Sequence, residues 1–496
     1  MRGWLSPALG CVALLALTAC SGRSDGPLNV AVIGSADEIF ATGLRLSEGA
    51  QIVRAATGAG LVALDAQGEI EPALADRWIV TDDGKSYIFR LREGAWPDGA
   101  DLSGESARDA LRRAIRGLAG TSLGLDLAGI DQVRAMAGRV VEIDLKAPMP
   151  DFLRLLAQPE LALTHRGLQA GPMVINRPKA ASRPAHNLAE FVFRPPEMRG
   201  LPQQENWQKY VRKVDLEPLR AKAALAAFDR GEVDVVLGGT IGSLPLADPG
   251  PLSRGNLRLD NVTGLFGLQV MRKRGFLALP QNREALALAL DRPALMAPFN
   301  IGGWVSSTRV VPAALAGPGA TERWAGIGVE QRRALAASRV AAWRAGPGKG
   351  QSPKLTLALG TDLGLITLFN ELSAQLEQVG IDLERVGPDE AADLALVDRV
   401  ARYGEPRWFL NQFNCSLRRG LCNSAADAAV QAALAAPDAQ GRAADLASAE
   451  AELTAANVYI PIGAPLRWSM VRGNVNGYAA NAWAWHPLPD MATIPR

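Results

Sequence analysis

Residues 68–94 read GEIEPALADRWIVTDDGKSYIFRLREG, and this stretch decides the fold. Its second half alternates apolar and polar side chains, so Tyr87, Phe89 and Leu91 share one face of a predicted strand. Residues 82–85, DDGK, are typical of a tight turn that joins this strand to residues 78–80 as a β-hairpin. A helix is predicted to begin near Ser103, because serine is a favoured N-cap residue.

The composition of the chain excludes several classes of protein. Its 496 residues include 53 Lys+Arg and 51 Asp+Glu, a net charge of +2 that argues against nucleic-acid binding. The length is enough for two or three domains. Hydrophobic residues make up 48% and charged residues 21%, which indicates an ordered globular protein. Three His and four Cys argue against a multi-ligand metal site, so no metal and no cofactor are predicted.

The first residues of the chain are typical of an export signal. Residues 1–19 combine Arg2 with the apolar run 11–17, as a secretory signal peptide does. The ending LTAC at 17–20 resembles the bacterial lipoprotein signal, in which a lipid is attached to Cys20. The alternative is an ordinary signal peptide followed by a chance cysteine. The sequence therefore predicts a protein of the periplasm or cell envelope, anchored to the membrane through Cys20.

Two cysteines remain in the body of the chain. An oxidising compartment favours a disulfide between Cys415 and Cys422. Free thiols are one alternative. A redox pair is another, although redox CxxC pairs are more closely spaced.

The rest of the sequence predicts a mixed α/β protein without internal repeats. Strands and helices alternate over much of the chain, and Pro437 separates two helices in the Ala-rich stretch 425–455. The other predicted elements are a strand at 28–34, a helix at 218–230 followed by a strand at 233–237, a helix at 284–290, a helix at 329–343, and a β-α-β unit at 354–359, 365–379 and 381–386.

Several segments, in order, resemble the extracytoplasmic solute-binding proteins of ABC importers, in the oligopeptide/dipeptide-binding family. Residues 68–78 and 82–105 are similar to the family signature with its DDG turn, its Y-x-F-x-L-R strand and its D-G-x-x-L-T-A-E-D helix start. Weaker similarities follow at residues 140–152, 171–173, 222–237, 283–295, 459–462 and 471–478.

This resemblance implies an α/β, two-lobed periplasmic-binding-protein fold of the large, type II-like cluster, with an extra small domain. The implied domains are lobe I at 20–65, 156–265 and 465–496, the small domain at 66–155, and lobe II at 266–464. The ligand, a peptide or small molecule, is expected in a cleft between the lobes. The implied partners are an ABC permease and its ATPase, and the protein is expected to be a monomer.

The resemblance also locates the candidate ligand site. Residues 401–410, ARYGEPRWFL, are similar to a family segment whose acidic residue binds the ammonium group of a peptide, but Arg402 stands at the acidic position. Arg402 is expected to contact an anionic group of the ligand. Alternatively it faces solvent or pairs with Glu405, or Asp398 takes the role of the family's acid in a shifted register.

Aromatic residues near this position are candidates for stacking on the ligand. Tyr403 and Trp408 are predicted to contact it, whereas Phe409 and Leu410 are expected in the core. Trp483 and Trp485 either line the cleft or pack within a lobe, and core packing is favoured.

No pattern indicates catalysis. GTSLG at 120–124 matches G-x-S-x-G, but a nucleophile elbow follows a strand and here a helix is predicted before it. GPGKG at 346–350 lacks the spacing of a phosphate loop. His165, His186 and His486 lie too far apart in sequence for paired ligand spacing. The sequence therefore predicts no enzyme. The alternative to a transport role is an envelope lipoprotein of the same fold acting as a sensor, chaperone or scaffold.

Overall fold

The computed structural model describes residues 26–177, 188–247, 255–317 and 319–495. The signal peptide, Cys20 and His186 lie outside these residues. The strands are β1 (Leu28–Ile33), β2 (Val62–Leu64), β3 (Ile70–Pro72), β4 (Ala75–Val80), β5 (Ser86–Leu91), β6 (Ile130–Met136), β7 (Val140–Leu145), β8 (Thr164–His165), β9 (Leu168–Gln169), β10 (Met173–Asn176), β11 (Ala189–Phe193), β12 (Val214–Leu219), β13 (Val235–Thr240), β14 (Leu257–Asp260), β15 (Gly264–Val270), β16 (Lys354–Ala358), β17 (Asp382–Val386), β18 (Leu394–Val400), β19 (Tyr459–Gly463) and β20 (Arg467–Val471).

The helices lie on the faces of the sheets and at their ends. They are α1 (Ala36–Ile39), α2 (Glu48–Thr57), α3 (Gly104–Gly117), α4 (Ser122–Asp126), α5 (Phe152–Leu156), α6 (Ala221–Asp229), α7 (Pro280–Ala289), α8 (Arg292–Met296), α9 (Val329–Ala345), α10 (Leu363–Glu377), α11 (Pro406–Asn411), α12 (Ser424–Ala435), α13 (Ala439–Ala456) and α14 (Leu488–Met491). Within the described part of the chain, no helix has the length and apolar character to cross a membrane.

The first lobe is built on a seven-stranded sheet in the order β10-β11-β12-β1-β13-β20-β14. Strand β1 is central and runs parallel to both β12 and β13. Both faces of this strand are buried. Val30 and Val32 pack in one core cluster with Ile52 of α2, whereas Ala31 packs in another with Phe228 of α6. The strand predicted at residues 28–34 is confirmed, and its burial on both faces is typical of a central strand with parallel neighbours.

The second lobe is built on a five-stranded sheet in the order β17-β16-β18-β15-β19. Strands β16 and β17 are parallel and α10 connects them, so the predicted β-α-β unit is confirmed. The core of this sheet is covered by α7, α9 and α10, which contribute buried residues such as Leu286, Val340 and Leu372.

The small domain consists of the antiparallel sheet β4-β5-β7-β6 and α3. The predicted hairpin is confirmed: Trp78 pairs with Phe89 and Val80 pairs with Tyr87. Ser103 caps α3 by accepting a hydrogen bond from the amide of Ser106. The core of this domain continues into α11, α12 and α13, so the small domain packs against the second lobe.

The three largest sheets follow the segments that the resemblance assigns to the lobes and the small domain, whereas the pairing of β2 with β3 crosses the boundary between residues 65 and 66. The strands of the seven-stranded sheet lie in 20–65, 156–265 and 465–496, and those of the four-stranded sheet lie in 66–155. The five-stranded sheet lies in 266–464 except for the first two residues of β15, which begins at Gly264.

One predicted helix begins later than expected. The helix expected from Pro218 begins at Ala221, because Pro218 and Leu219 extend β12 along its parallel partner β1. The strand that follows runs from Val235 to Thr240, so it begins two residues beyond the predicted start and extends three beyond the predicted end.

Candidate functional site

A cavity of about 510 Å³ lies between the two lobes. The first lobe contributes the N-terminal end of α2 and residues of β13 and β20, and the second lobe contributes the end of β18. Residues 121–123 and Asp126, at α4 of the small domain, also line it, as do residues 483–486. The cavity is therefore lined by both lobes and the small domain, and a cleft between domains is a common location for a small-molecule site.

Arg402 lines the cavity, but it is neutralised by a residue of the first lobe. Its Nη2 donates to Oε1 of Glu160 at 2.8 Å, and Glu160 is 3% exposed. Its Nη1 donates to Oε1 of Gln158 at 3.1 Å and to Oε1 of Gln51. Arg402 thus faces the cleft and has an acidic partner, but that partner is Glu160 rather than Glu405, the neighbouring acid considered as an alternative. These contacts link the second lobe to the first.

Asp398 is held by an internal cation. Nη1 of Arg467 donates to Oδ1 of Asp398 at 2.7 Å, and the Nε and Nη2 of the same guanidinium donate to the two oxygens of Glu48, each at 2.7 Å. Burial by itself lowers the pKa of Arg467, but Asp398 and Glu48 outweigh it and the net shift is upward. Asp398 is absent from the cavity lining. Because Arg467 and Glu48 belong to the first lobe and Asp398 to the second, this group also links the lobes.

Of the two aromatic residues predicted to contact the ligand, Trp408 lines the cavity and Tyr403 does not. Trp408 lines the cavity while 3% exposed, and its ring meets that of Phe409 edge-on at 4.9 Å. Tyr403 has no exposed surface and belongs to the hydrophobic core, so it does not line the cavity, contrary to the expectation from its place beside Arg402. Phe409 and Leu410 are core residues, as expected.

Trp483 and Trp485 both line the cavity and pack against the core. Trp485 belongs to the core cluster of the small domain, and Trp483 packs against it. The guanidinium of Arg154 lies over the Trp483 ring at 4.5 Å, and Nε1 of Trp485 donates to the carbonyl oxygen of Leu64 at 3.1 Å. These contacts fix the wall of the cavity.

Three arginines that the sequence analysis did not single out also line the cavity: Arg45, Arg399 and Arg419. Arg399 and Arg419 donate to the same Oε1 of Gln412, at 3.3 and 3.4 Å. Burial and the nearby Arg419 lower the pKa of Arg399 to about 10. Burial and the nearby Arg45 lower the pKa of Arg419. The only sequence signal for them was position: Arg399 precedes the end of a strand, and Arg419 lies between two cysteines.

Those two cysteines are joined. Cys415 and Cys422 form a disulfide across a sequence separation of 7. The amide of Leu421 in this loop donates to the carbonyl oxygen of Val270 at 2.7 Å. The loop is thereby fastened to β15, and it carries Arg419 to the cavity.

The competing motifs have structural roles. Ser122 begins α4, which follows α3 rather than a strand, and the side chain of Thr121 caps α4. Nδ1 of His165 lies 2.9 Å from Oδ2 of Asp98, and Nε2 of His486 lies 3.0 Å from Oδ2 of Asp260. Among the residues that the structure describes, no group of three or more His, Cys, Asp or Glu side chains is placed to hold a metal ion.

Comparison with known proteins identifies the family. The family model described as "Bacterial extracellular solute-binding proteins, family 5 Middle" matches residues 69–419, more than half of the chain. The chain belongs to this family. The match begins with the β-hairpin stretch that carried the resemblance, and it includes Arg402 and the disulfide-loop residue Arg419.

The relatives of this family 5 protein are named for different solutes. The nickel-binding periplasmic protein of Escherichia coli is 25% identical over 69% of this chain and 68% of its own length. The glutathione-binding protein GsiB of the same species is 26% identical over 56% of this chain and 54% of its own. The probable deoxycholate-binding protein YgiS is 34% identical, but the alignment spans 21% of this chain and 22% of that protein.

Solved structures agree on the fold. Haemophilus influenzae OppA, solved with the peptide RPPGFSPFR, superposes with a TM-score of 0.78 over 95% of this chain and 100% of its own, at 19% identity. The murein tripeptide binding protein MppA of Escherichia coli superposes with a TM-score of 0.76 over 95% and 99%, at 20% identity. The two-lobed α/β fold with an extra small domain is therefore that of the oligopeptide-binding proteins.

Proposed function

We propose that this protein is the lipid-anchored substrate-binding component of an ABC importer, and that it captures an acidic peptide or a related acidic small solute. The observation that carries the proposal is the cavity of about 510 Å³ between the two lobes. A solute held there is sequestered from water by both lobes, and binding favours the closed arrangement that a permease recognises.

The contacts across the cleft support ligand-driven closure. Arg402 bonds to Gln51, Gln158 and Glu160 of the first lobe, and Arg467 of the first lobe bonds to Asp398 of the second. These groups separate when the lobes open and pair again on closing. A ligand that contacts both lobes adds its binding energy to this set of contacts.

The charges in the cleft support an acidic ligand. Asp398 and Glu160 are each paired with an arginine of the protein, so neither offers a free carboxylate to an ammonium group. Asp126 also lines the cavity and has no ion pair among the described residues, but burial raises the pKa of its carboxyl to about 7 and so disfavours its charged form. Arg45, Arg399 and Arg419 face the same cavity and carry positive charge. A carboxylate or phosphate receives charge-assisted hydrogen bonds from such groups, whereas an ammonium group is repelled.

A thermal-shift panel on the form beginning at residue 21 tests the proposal. The panel contains free tripeptides, the same peptides N-acetylated, the same peptides C-amidated, and dicarboxylic acids. A ligand at about 100 times its Kd stabilises the protein by about 2.7 kcal/mol. We expect stabilisation that survives N-acetylation and requires a free carboxylate. Stabilisation lost on N-acetylation but kept on C-amidation contradicts an acidic ligand.

A panel in which no solute shifts the melting temperature contradicts capture of peptides and acids, and favours an envelope role without transport.

The membrane anchor is tested separately. Cys20→Ala is expected to move the protein from the membrane fraction to the soluble periplasmic fraction. Retention in the membrane fraction would contradict anchoring through Cys20.

A further inference from the structure

Three arginines from both lobes converge on one part of the cleft. Arg45 belongs to the first lobe and is exposed in the loop between α1 and α2, whereas Arg399 of β18 and Arg419 of the disulfide loop belong to the second. All three line the cavity between the lobes. Arg399 and Arg419 approach each other closely enough to share Oε1 of Gln412 as an acceptor.

The other cations of the cavity are compensated, and these three are not. Arg402 pairs with Glu160, and Arg467 pairs with Glu48 and Asp398. Within residues 26–177, 188–247, 255–317 and 319–495, no carboxylate forms an ion pair with Arg45, Arg399 or Arg419.

Gln412, the side chain that receives hydrogen bonds from two of the three, is a neutral amide and is 2% exposed. It orients the guanidinium groups without neutralising them. Grouped like charges of this kind are unfavourable in a partly buried site, and an anion placed between them removes the repulsion.

We propose that Arg45, Arg399 and Arg419 form a subsite for a ligand group that carries two or more negative charges, such as a phosphate or a cluster of carboxylates. This inference rests on the proposed function and specifies which part of the solute the cleft recognises. Guanidinium groups form paired hydrogen bonds with the oxygens of carboxylate and phosphate, which gives the subsite geometric selectivity.

The subsite also makes closure depend on the charge of the ligand. Closing the lobes brings Arg45 towards Arg399 and Arg419, so the empty cleft closes against repulsion. With the anion bound, the same movement brings each cation towards a negative charge. The ligand therefore has a much higher affinity for the closed arrangement, which is the condition for shifting the population.

The disulfide loop holds Arg419 in place for this role. The bond between Cys415 and Cys422 closes the loop, and the amide of Leu421 fastens it to β15. A Cβ atom at Gly420 would lie 2.8 Å from Nε2 of Gln269, so the loop backbone lies close against that strand. Fixing the loop lowers the entropy cost of ordering Arg419 around a ligand.

The test measures the binding of inorganic phosphate and of propane-1,2,3-tricarboxylate to the form beginning at residue 21, by calorimetry at constant ionic strength. The variants are Arg399→Gln and Arg419→Gln, and the matched control is Arg418→Gln, which removes an exposed charge from the same loop. We expect at least one anion to bind the wild-type and control proteins, with at least a tenfold loss in the two variants. Comparing the two anions distinguishes a phosphate site from a carboxylate site.

A second measurement separates a binding role from a structural one. Without anion, Arg399→Gln is expected to melt at the same or a higher temperature than wild type, because it removes repulsion. Absence of saturable binding of both anions to the wild-type protein overturns the subsite, and so does equal binding by the Arg399 and Arg419 variants. If peptides stabilise the wild-type protein but anion binding is the same in wild type and variants, the proposed transport role stands and the subsite fails. If anions bind through these arginines but no larger solute does, the subsite stands and the transport role fails.

Discussion

Arg467 is predicted to control how readily the ligand-free lobes close. Its side chain is 5% exposed, and it bonds to Glu48 within its own lobe and to Asp398 across the cleft. The pair with Glu48 persists when the lobes separate. It therefore contributes equally to the open and closed arrangements and does not change the ratio between them. Only the 2.7 Å bond to Asp398 is gained on closing.

The size of the effect follows from that single bond. A hydrogen bond between charged groups contributes about 1.5–3 kcal/mol, and each 1.4 kcal/mol changes an equilibrium constant about tenfold. Arg467→Met is therefore expected to reduce the closed-to-open ratio by about 10- to 150-fold. The affinity for ligand falls by up to the same factor, because less of the protein is in the closed arrangement.

Single-molecule energy transfer between dyes on the two lobes measures this ratio in the absence of ligand. Arg258→Met is the matched control, because Arg258 is exposed on β14 of the same sheet. In an Asp398→Asn background, Arg467→Met should have a much smaller effect, since the charged acceptor is already gone. The reasoning is refuted if the Arg467 and Arg258 variants show the same distance distribution, or if the effects of the Arg467 and Asp398 changes simply add.

Three further predictions concern stability. Arg402→Met leaves the buried carboxylate of Glu160 without its partner and is expected to cost about 3 kcal/mol in urea unfolding; adding Glu160→Gln should recover most of this, and additive losses would contradict the pairing. Replacing Cys415 and Cys422 by serine should lower the free energy of unfolding by about 2 kcal/mol, because the bond closes only a short loop; an unchanged urea midpoint would show that the loop needs no bond. Burial raises the pKa of Asp490 to about 6, above its unfolded value of about 3.9. The contribution of this carboxyl to the free energy of unfolding is therefore fully present below about pH 4 and is lost as the pH rises through about 6. Asp490→Asn should accordingly raise Tm at pH 7.5 but not at pH 4, and an equal shift at both pH values would argue against this titration.

Much of the fold could be predicted because its signals are local. The alternation of Tyr87 and Phe89 and the glycine turn before them specify a hairpin whatever packs against it. Pro437 separates α12 from α13 for an equally local reason, since proline cannot continue a helix. The start of α6 was misplaced because a distant strand decides it: pairing with β1 holds Pro218 and Leu219 in β12.

The site was harder to predict because its contacts join residues far apart in the chain. The substitution at Arg402 is visible in the sequence, but nothing nearby indicates that Glu160 neutralises it. The burial of Tyr403 depends on a core shared with the small domain. The grouping of Arg45 with Arg399 and Arg419 depends on how the two lobes meet, which no local pattern encodes.

The position of β20 constrains how the protein can be made. In the seven-stranded sheet this strand lies between β13 and β14, yet the whole second lobe separates it from them in the sequence. During synthesis and export, one edge of β13 therefore remains unpaired until the second lobe and β20 have emerged. Such an edge can pair with another chain, and long-range strand pairing is slow. The first lobe should consequently be the last part of the molecule to become resistant to proteases, and the part most dependent on chaperones that hold exported chains apart.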